Sequence, residues 1–346
     1  MIFKQFESTD KIDGKINRVS SPLWPAGDVN ALQSSFYTNP YQTVSTGSNV
    51  NDLKNGLYYT DVYYAGEPAF SVAFGNKFGS GSSATDVSTV KAYPSKVIYS
   101  QYKNILLNSS DSSFTFATSS ATNYISSSNV YVISFTTNKF KDRLDEGHIQ
   151  FSLSGSNGIF NFVDDSTPDN IQDAYNIVSG SIKNGVAVTY KTNGSTEYRG
   201  LGRIYPKNGI ILLNADSISN LVGNNLRPSL EMTGSNYQLN QNKIYNSIKL
   251  CSNSYFQVRK SEYLPSKYYF VRVKNQEFNY SNNPTFVLSP NIGKLKFTEF
   301  YTDPRTYITT IGLYNENNDL VAVAKTSQPI LKNFDNECLI KIRLDF

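Results

Sequence analysis

The chain is 346 residues long, 14% aromatic and 17% charged, with 25 Tyr, 21 Phe, one Trp, one His and two Cys. That length allows two ordinary domains or one large all-β domain with a real core. A net charge of +4, carried by scattered single lysines and arginines, lacks the basic patch with interleaved aromatics that nucleic-acid binding requires, so no nucleic acid partner is expected.

No apolar run approaches the roughly 20 residues of a membrane span, and Met1 to Asp10 contains no signal-peptide core; neither a membrane partner nor export by a standard signal is expected. Cys251 and Cys338 stand apart with no CxxC spacing, which fits two small core residues folded in a reducing cytoplasm. Abundant tyrosine suits half-wet surfaces, where the ring is buried and the hydroxyl hydrated, and so favours exposed sheets and wide interfaces.

Residues 1–55 are polar and punctuated by Gly14, Pro22, Pro25, Gly27, Pro40 and Gly47, which predicts an extended N-terminal docking arm. Within it, Val19-Ser-Ser-Pro-Leu-Trp-Pro-Ala-Gly27 sets proline on both sides of a Leu-Trp pair. Extended backbone before each proline presents Trp24 as a knob, which either inserts into a neighbouring subunit or folds back on its own domain. The first alternative makes Trp24, Leu23, Phe36 and Tyr37 the candidate interface residues, with Trp24 and Phe36 as anchors.

Strand composition follows in Leu57–Tyr64 and Phe70–Phe74. The Gly-rich stretch Gly75-Asn-Lys-Phe-Gly-Ser-Gly-Ser-Ser83 lacks the Gly-Lys-Ser/Thr ending of a phosphate cradle and is expected to be a mobile surface loop. Pro94 then opens the one amphipathic helix, about 94–107, with Val97, Ile98, Tyr102, Ile105 and Leu106 on a face that should cover a sheet. Strands are expected again at Phe114–Phe116, Val130–Phe135 and His148–Leu153.

Between the last two, Asp142, Asp145 and Glu146 lie beside Lys141 and Arg143, the composition of a solvated turn. Asp164-Asp165 is a second acidic pair. Paired carboxylates can serve a glycosidase or a calcium ion, but neither group has the Asp, Asn and Gly alternation of an EF-hand. His148 is the single histidine, so Ser-His-Asp catalysis and histidine-metal chemistry would all have to pass through it; it is expected at a solvent edge. No catalytic, cofactor or metal residues are assigned, and the chain is expected not to be an enzyme.

Further strands are expected at Ala187–Tyr190 and Gly209–Asn214, short helices at Asp216–Val222 (capped by Asp216) and Asn240–Leu250, and an antiparallel pair from Tyr255–Arg259 and Lys267–Lys274. The Ser/Asn-rich stretches 108–129 and 215–242 are the candidate domain boundaries. The last forty residues state their conformation most plainly. Tyr307–Tyr314 and Leu320–Ala324 flank the turn Asn315-Glu-Asn-Asn318, and Cys338, Ile340, Ile342, Leu344 and Phe346 alternate with Lys341, Arg343 and Asp345, giving a hairpin and a returning strand docked in a sheet.

The fold expected is mainly β: antiparallel β-sandwich-type domains with the one amphipathic helix and the arm, divided as arm 1–55, a β-rich domain 56–235 and a second β-rich region 236–346. Across this frame the chain resembles a family of virion structural proteins of T-even-like myophages, including cyanophages, associated with the baseplate of the contractile tail. The likeness is carried by Val19-Ser-Ser-Pro-Leu-Trp24, Phe70-Ser-Val-Ala-Phe-Gly75 with Gly79-Ser-Gly81, Tyr99-Ser-Gln-Tyr102, Tyr175-Asn-Ile-Val-Ser-Gly180, Tyr269–Asn275 with Glu277–Phe286, and Thr306–Asn315 with Leu320–Lys325. The resemblance implies a baseplate wedge or peripheral baseplate subunit, present in several copies among other tail proteins, assembled in the host cytoplasm and located in the virion. A receptor- or glycan-binding tail component is the alternative. It implies no catalytic residues.

Overall fold

The computed structural model describes residues 4–38, 59–82, 93–118, 123–169, 173–189, 198–230, 240–289 and 293–345. Residues 39–55 of the expected arm, Ser83, Tyr190 and Phe346 lie outside them. The chain separates into two compact units: Met1–Asn17 together with Tyr263–Phe346 form unit 1, and Arg18–Glu262 form unit 2. This replaces the expected division at 55 and 235. The first part of the supposed arm, 18–38, carries strands built into unit 2, and 240–262 stays there too because the helix Asn240–Lys249 buries Ile244 and Ile248 in that unit's core.

The fold is mainly antiparallel β, as expected. Unit 2 is one long sheet of β1 (Asn30–Leu32), β2 (Tyr37–Thr38), β3 (Tyr59–Tyr64), β4 (Glu67–Asn76), β5 (Asn129–Ser134), β6 (Gln150–Gly155), β7 (Gly158–Asp169), β8 (Ala174–Lys183), β9 (Val186–Thr189), β10 (Gly202–Tyr205), β11 (Ile210–Asn214) and β12 (Tyr255–Gln257). Its order is β1-β12-β6-β7-β8-β10-β11-β5-β4-β3-β2, with β9 on β8. Strands far apart in that order meet: Phe70 on β4 lies 5.4 Å from Phe256 on β12, whose ring also lies 5.4 Å from Phe151 on its neighbour β6. The expected sandwich is thus achieved by one sheet curling onto itself, since successive hairpins keep pairing and accumulate twist.

Both faces of the middle of the sheet are covered, so its strands read as continuous apolar runs. Helix α1 (Pro94–Leu106) packs on β4 with Ile98, Tyr99 and Leu106 buried among Ala73, Val130, Val132 and Leu212. Gly75 permits that approach, because a Cβ there would stand 3.0 Å from the Tyr99 amide nitrogen. The expected helical face is rotated: Val97 and Ile105 are exposed, and Tyr99 replaces them. On the opposite face, Val72, Phe74, Tyr131, Ile133, Ile211 and Leu213 meet α2 (Ala215–Val222) and α3 (Asn240–Lys249). Helix α2 is capped by Asn214, whose side chain accepts from the Ser217 amide, rather than by Asp216.

The Gly-rich segment after β4 is tied down. Asn76 Oδ1 accepts from the amides of Phe78 and Ser80, Asn76 Nδ2 donates to Asn129, Asn240 Nδ2 donates to the Gly81 carbonyl, and Ser82 Oγ bonds Ser95 Oγ at 2.8 Å. Against the expected mobile surface loop, residues 75–82 make a bonded turn, and Gly75, Gly79 and Gly81 sit where the chain passes close to α1 and α3.

In unit 1, β13 (Ser266–Val273) is flanked by Lys11–Asp13 and by β16 (Cys338–Asp345), while β14 (Thr306–Tyr314) and β15 (Leu320–Lys332) form a separate two-stranded ribbon. The returning strand therefore docks on β13, and β12 and β13 do not pair with each other as the sequence suggested. A strand's partner is set by long-range packing, which its own pattern does not encode.

Candidate functional site

Three of the four candidate interface residues belong to the core of unit 2. Trp24 is 3% exposed, Leu23 5% and Phe36 0%. The Trp24 ring sits 5.6 to 6.1 Å from Phe36, Tyr64, Phe135 and Phe256, and its Nε1 donates to the Phe256 carbonyl at 2.8 Å. Pro22 and Pro25 do present a knob, but the socket is this chain's own aromatic cluster. Tyr37 alone is exposed, stacked on Tyr63 at 5.7 Å. The clue in the sequence was the number of phenylalanines at strand ends, enough to line a socket without a neighbour.

Beside Trp24 lies an open cleft of about 500 Å³ lined by Leu23, Trp24, Pro25, Pro68, Glu67, Thr136, Asn138, Lys139 and Lys260. Its lining mixes apolar side chains with Glu67, Thr136, Asn138, Lys139 and Lys260, and Lys139 Nζ bridges to Glu67 at 2.8 Å. Trp24, 3% exposed, offers little of its ring to the cleft.

The acidic residues form a staple. Asp145 is 3% exposed, so the segment is no solvated turn. Asp145 accepts from Arg18 and Ser20, lies 3.1 Å from His148 Nδ1, and its amide donates to the Arg259 carbonyl. Glu146 meets Arg18 at 2.6 Å and Arg143 at 3.1 Å. Burial pulls the Glu146 pKa up, yet the Arg18 hydrogen bond and the charges of Arg143 and Arg18 leave it below the ordinary carboxylate range. Asp164, 0% exposed, accepts from the amides of Gly147 and Ile149 and from Ser166 Oγ. Desolvation outweighs those bonds and pushes it up to about 6. Asp165 binds the Asn176 amide and side chain at 3.2 Å and Arg199 at 3.4 Å, while Asp142 is exposed. His148 is half-buried in this network instead of idle at an edge. Among the described residues, no group of three or more His, Cys, Asp or Glu is arranged to hold a metal. The chemistry here is fastening: residues 143–149 are clamped to the strand Asn17–Pro22 and to β7.

Unit 1 is built differently. Its buried apolar side chains among the described residues are Val273, Phe286, Val287, Leu313 and Ile342, and none belongs to a core cluster of the kind found in unit 2. Large apolar side chains stand in water instead, with Val321 65%, Tyr307 62%, Leu339 60%, Leu320 53% and Val323 53% exposed. Lys332, fully buried, holds the ribbon by donating to the Asn275 carbonyl at 2.7 Å, Asn279 Oδ1 at 2.8 Å and the Asn333 carbonyl at 2.6 Å.

No protein-family model, curated protein or solved structure matches this chain. No helix among the described residues is long and apolar enough to cross a membrane.

Proposed function

We propose that this chain is a structural subunit of a phage contractile tail, a wedge or peripheral component of the baseplate, that holds neighbouring tail proteins together and performs no turnover. The observation that carries the assembly role is the contrast in unit 1 between five buried apolar side chains and a wide exposed set on β14, β15 and β16. The assignment to a tail rests on the motif blocks quoted above. Unit 2 supplies a rigid body through its two-sided sheet and its carboxylate staple, and unit 1 supplies the grip. Since Trp24 and Phe36 are core residues, they are not the anchors of the grip.

The test is incorporation into particles. Val321→Lys with Val323→Glu in the full chain should leave thermal unfolding nearly unchanged, because exposed positions cost about 0.5 kcal/mol or less, while its entry into tails falls sharply. Incorporation equal to the unaltered chain would refute the role assigned to unit 1. The cleft beside Trp24 favours a second reading, a glycan-binding tail component; saturable binding on a glycan array, lost in Lys139→Ala and Asn138→Ala variants, would select it.

A further inference from the structure

Edge strands present unsatisfied backbone groups to any strand that approaches, and proteins guard them with shortness, charge or proline. Most edges here follow that rule. The long sheet of unit 2 ends in β1 and β2, of three and two residues. Strand β16 carries Lys341, Arg343 and Asp345 along its exposed positions, and β15 carries Lys325 and Pro329. Strand β14 is the exception. Its nine residues, Thr-Tyr-Ile-Thr-Thr-Ile-Gly-Leu-Tyr, contain no charge and no proline, and among the described strands it pairs with β15 alone. No other edge strand in the described residues is both longer than four residues and free of charge and proline.

A two-stranded ribbon is marginal in water, and one with β-branched and aromatic residues on an unguarded edge gains most by adding strands. We infer that β14 is a self-pairing edge: it takes the β14 strand of a second copy of this chain, antiparallel about a two-fold axis, so that two ribbons become one four-stranded sheet. This rests on the assembly role proposed above and names one partner in it.

A second copy is favoured over a different strand by the composition of the edge. A neutral edge meeting its own image brings no like charges together, and a two-fold contact is self-complementary by construction. With the axis at Thr310, Ile308 lies opposite Gly312 of the second copy and Tyr307 opposite Leu313 of the second copy, large against small and aromatic against aliphatic. A Cβ on Gly312 would stand 2.9 Å from this chain's own Tyr314 ring, so a glycine suits that position of the strand. Tyr307, Thr309, Thr310 and Tyr314 are all exposed and accessible to the incoming strand.

The test uses the full chain. By analytical ultracentrifugation over a dilution series, the mass should rise from 38.7 kDa toward twice that value. Thr310→Glu is tolerated within the ribbon because Thr310 lies opposite Lys325, but two copies bring the new carboxylates together, so association should weaken about tenfold or more. Thr310→Gln should associate as the unaltered chain does. Thr310→Cys should give a covalent dimer under mild oxidation, with the two copies linked at that position by mass spectrometry. A chain that stays at 38.7 kDa throughout, a T310E variant that dimerises unchanged with its melting curve intact, or a T310C variant that never cross-links would each overturn the self-pairing. A monomer that still enters tails would sink only this inference; a chain that neither self-associates nor enters tails would sink the assembly role with it.

Discussion

Trp24 offers the sharpest test of the packing, because it is the single tryptophan and two different proteins are implied by its being buried or free. Truncating it to alanine removes about 200 Å² of apolar surface from the core, or about 5 kcal/mol at 25 cal/mol per Å². It also strands the Phe256 carbonyl that Nε1 now satisfies, at about 1 kcal/mol or more. Relaxation of the four surrounding rings offsets part of this, and measured truncations of buried aromatics cluster at about 3–5 kcal/mol. Trp24→Ala should therefore lose about 4 kcal/mol, and Trp24→Phe, which keeps most ring contacts and gives up the hydrogen bond, about 2 kcal/mol. Urea unfolding followed by circular dichroism measures both, and the intrinsic emission of the unaltered chain should be that of a shielded indole that shifts red on unfolding. A loss below about 0.5 kcal/mol for Trp24→Ala, the figure for an exposed side chain, together with a water-exposed emission maximum, would refute the burial and restore the docking arm.

Further predictions follow from the same geometry. Asp164 has a folded pKa of about 6 against 3.8 unfolded, so the folded chain binds the extra proton between those values; its contribution to stability is complete below pH 3.8 and is lost as pH rises through about 6, by about 3 kcal/mol. The stability of Asp164→Asn relative to the unaltered chain should rise from pH 4 to pH 7, and a difference that is flat across denaturation curves at those pH values would contradict this. Arg18→Ala should raise the Glu146 pKa, read by NMR titration of the side-chain carboxyl; an unmoved midpoint would remove Arg18 from the staple. Gly209 closes the β10–β11 turn at φ +64°, and a Cβ there would stand 2.2 Å from Phe140 Cε1; Gly209→Ala should cost about 2–4 kcal/mol, while retention of full stability would deny the close contact. Lys332→Met leaves three oxygen acceptors without their donor and should destabilise unit 1 by about 3 kcal/mol, seen as earlier proteolysis of the ribbon at unchanged stability of unit 2.

Elements whose pattern is local were legible in the sequence. The alternation in Cys338–Asp345, the hairpin around Asn315–Asn318 and the proline-opened helix at Pro94 all state their conformation within a dozen residues, and each forms. Strand β7 is hidden in the sequence because Asp164-Asp165 interrupts the apolar alternation of Phe160 and Phe162, as an acidic loop would. Asp164 is tolerated inside the sheet since the amides of Gly147 and Ile149, fifteen and more residues away, reach it. The staple was illegible for the same reason: Arg18 and Asp145 stand 127 residues apart in the chain. Trp24 was half legible. The prolines announced a projecting ring, but whether a projecting ring meets its own chain or another's depends on a socket assembled from β3, β4 and β12, and no local pattern encodes that.

The order in which the two units appear along the chain gives them different birthdays. Arg18–Glu262 is continuous, whereas unit 1 is split between Met1–Asn17 and Tyr263–Phe346. During synthesis, then, unit 2 has every residue it needs while the ribbon of β14 and β15 is still unmade, and Lys11–Asp13 must wait for β13 to emerge before it can pair. A chain cut short before Tyr263 would hold all of Arg18–Glu262 and lack the strand on which Lys11–Asp13 pairs.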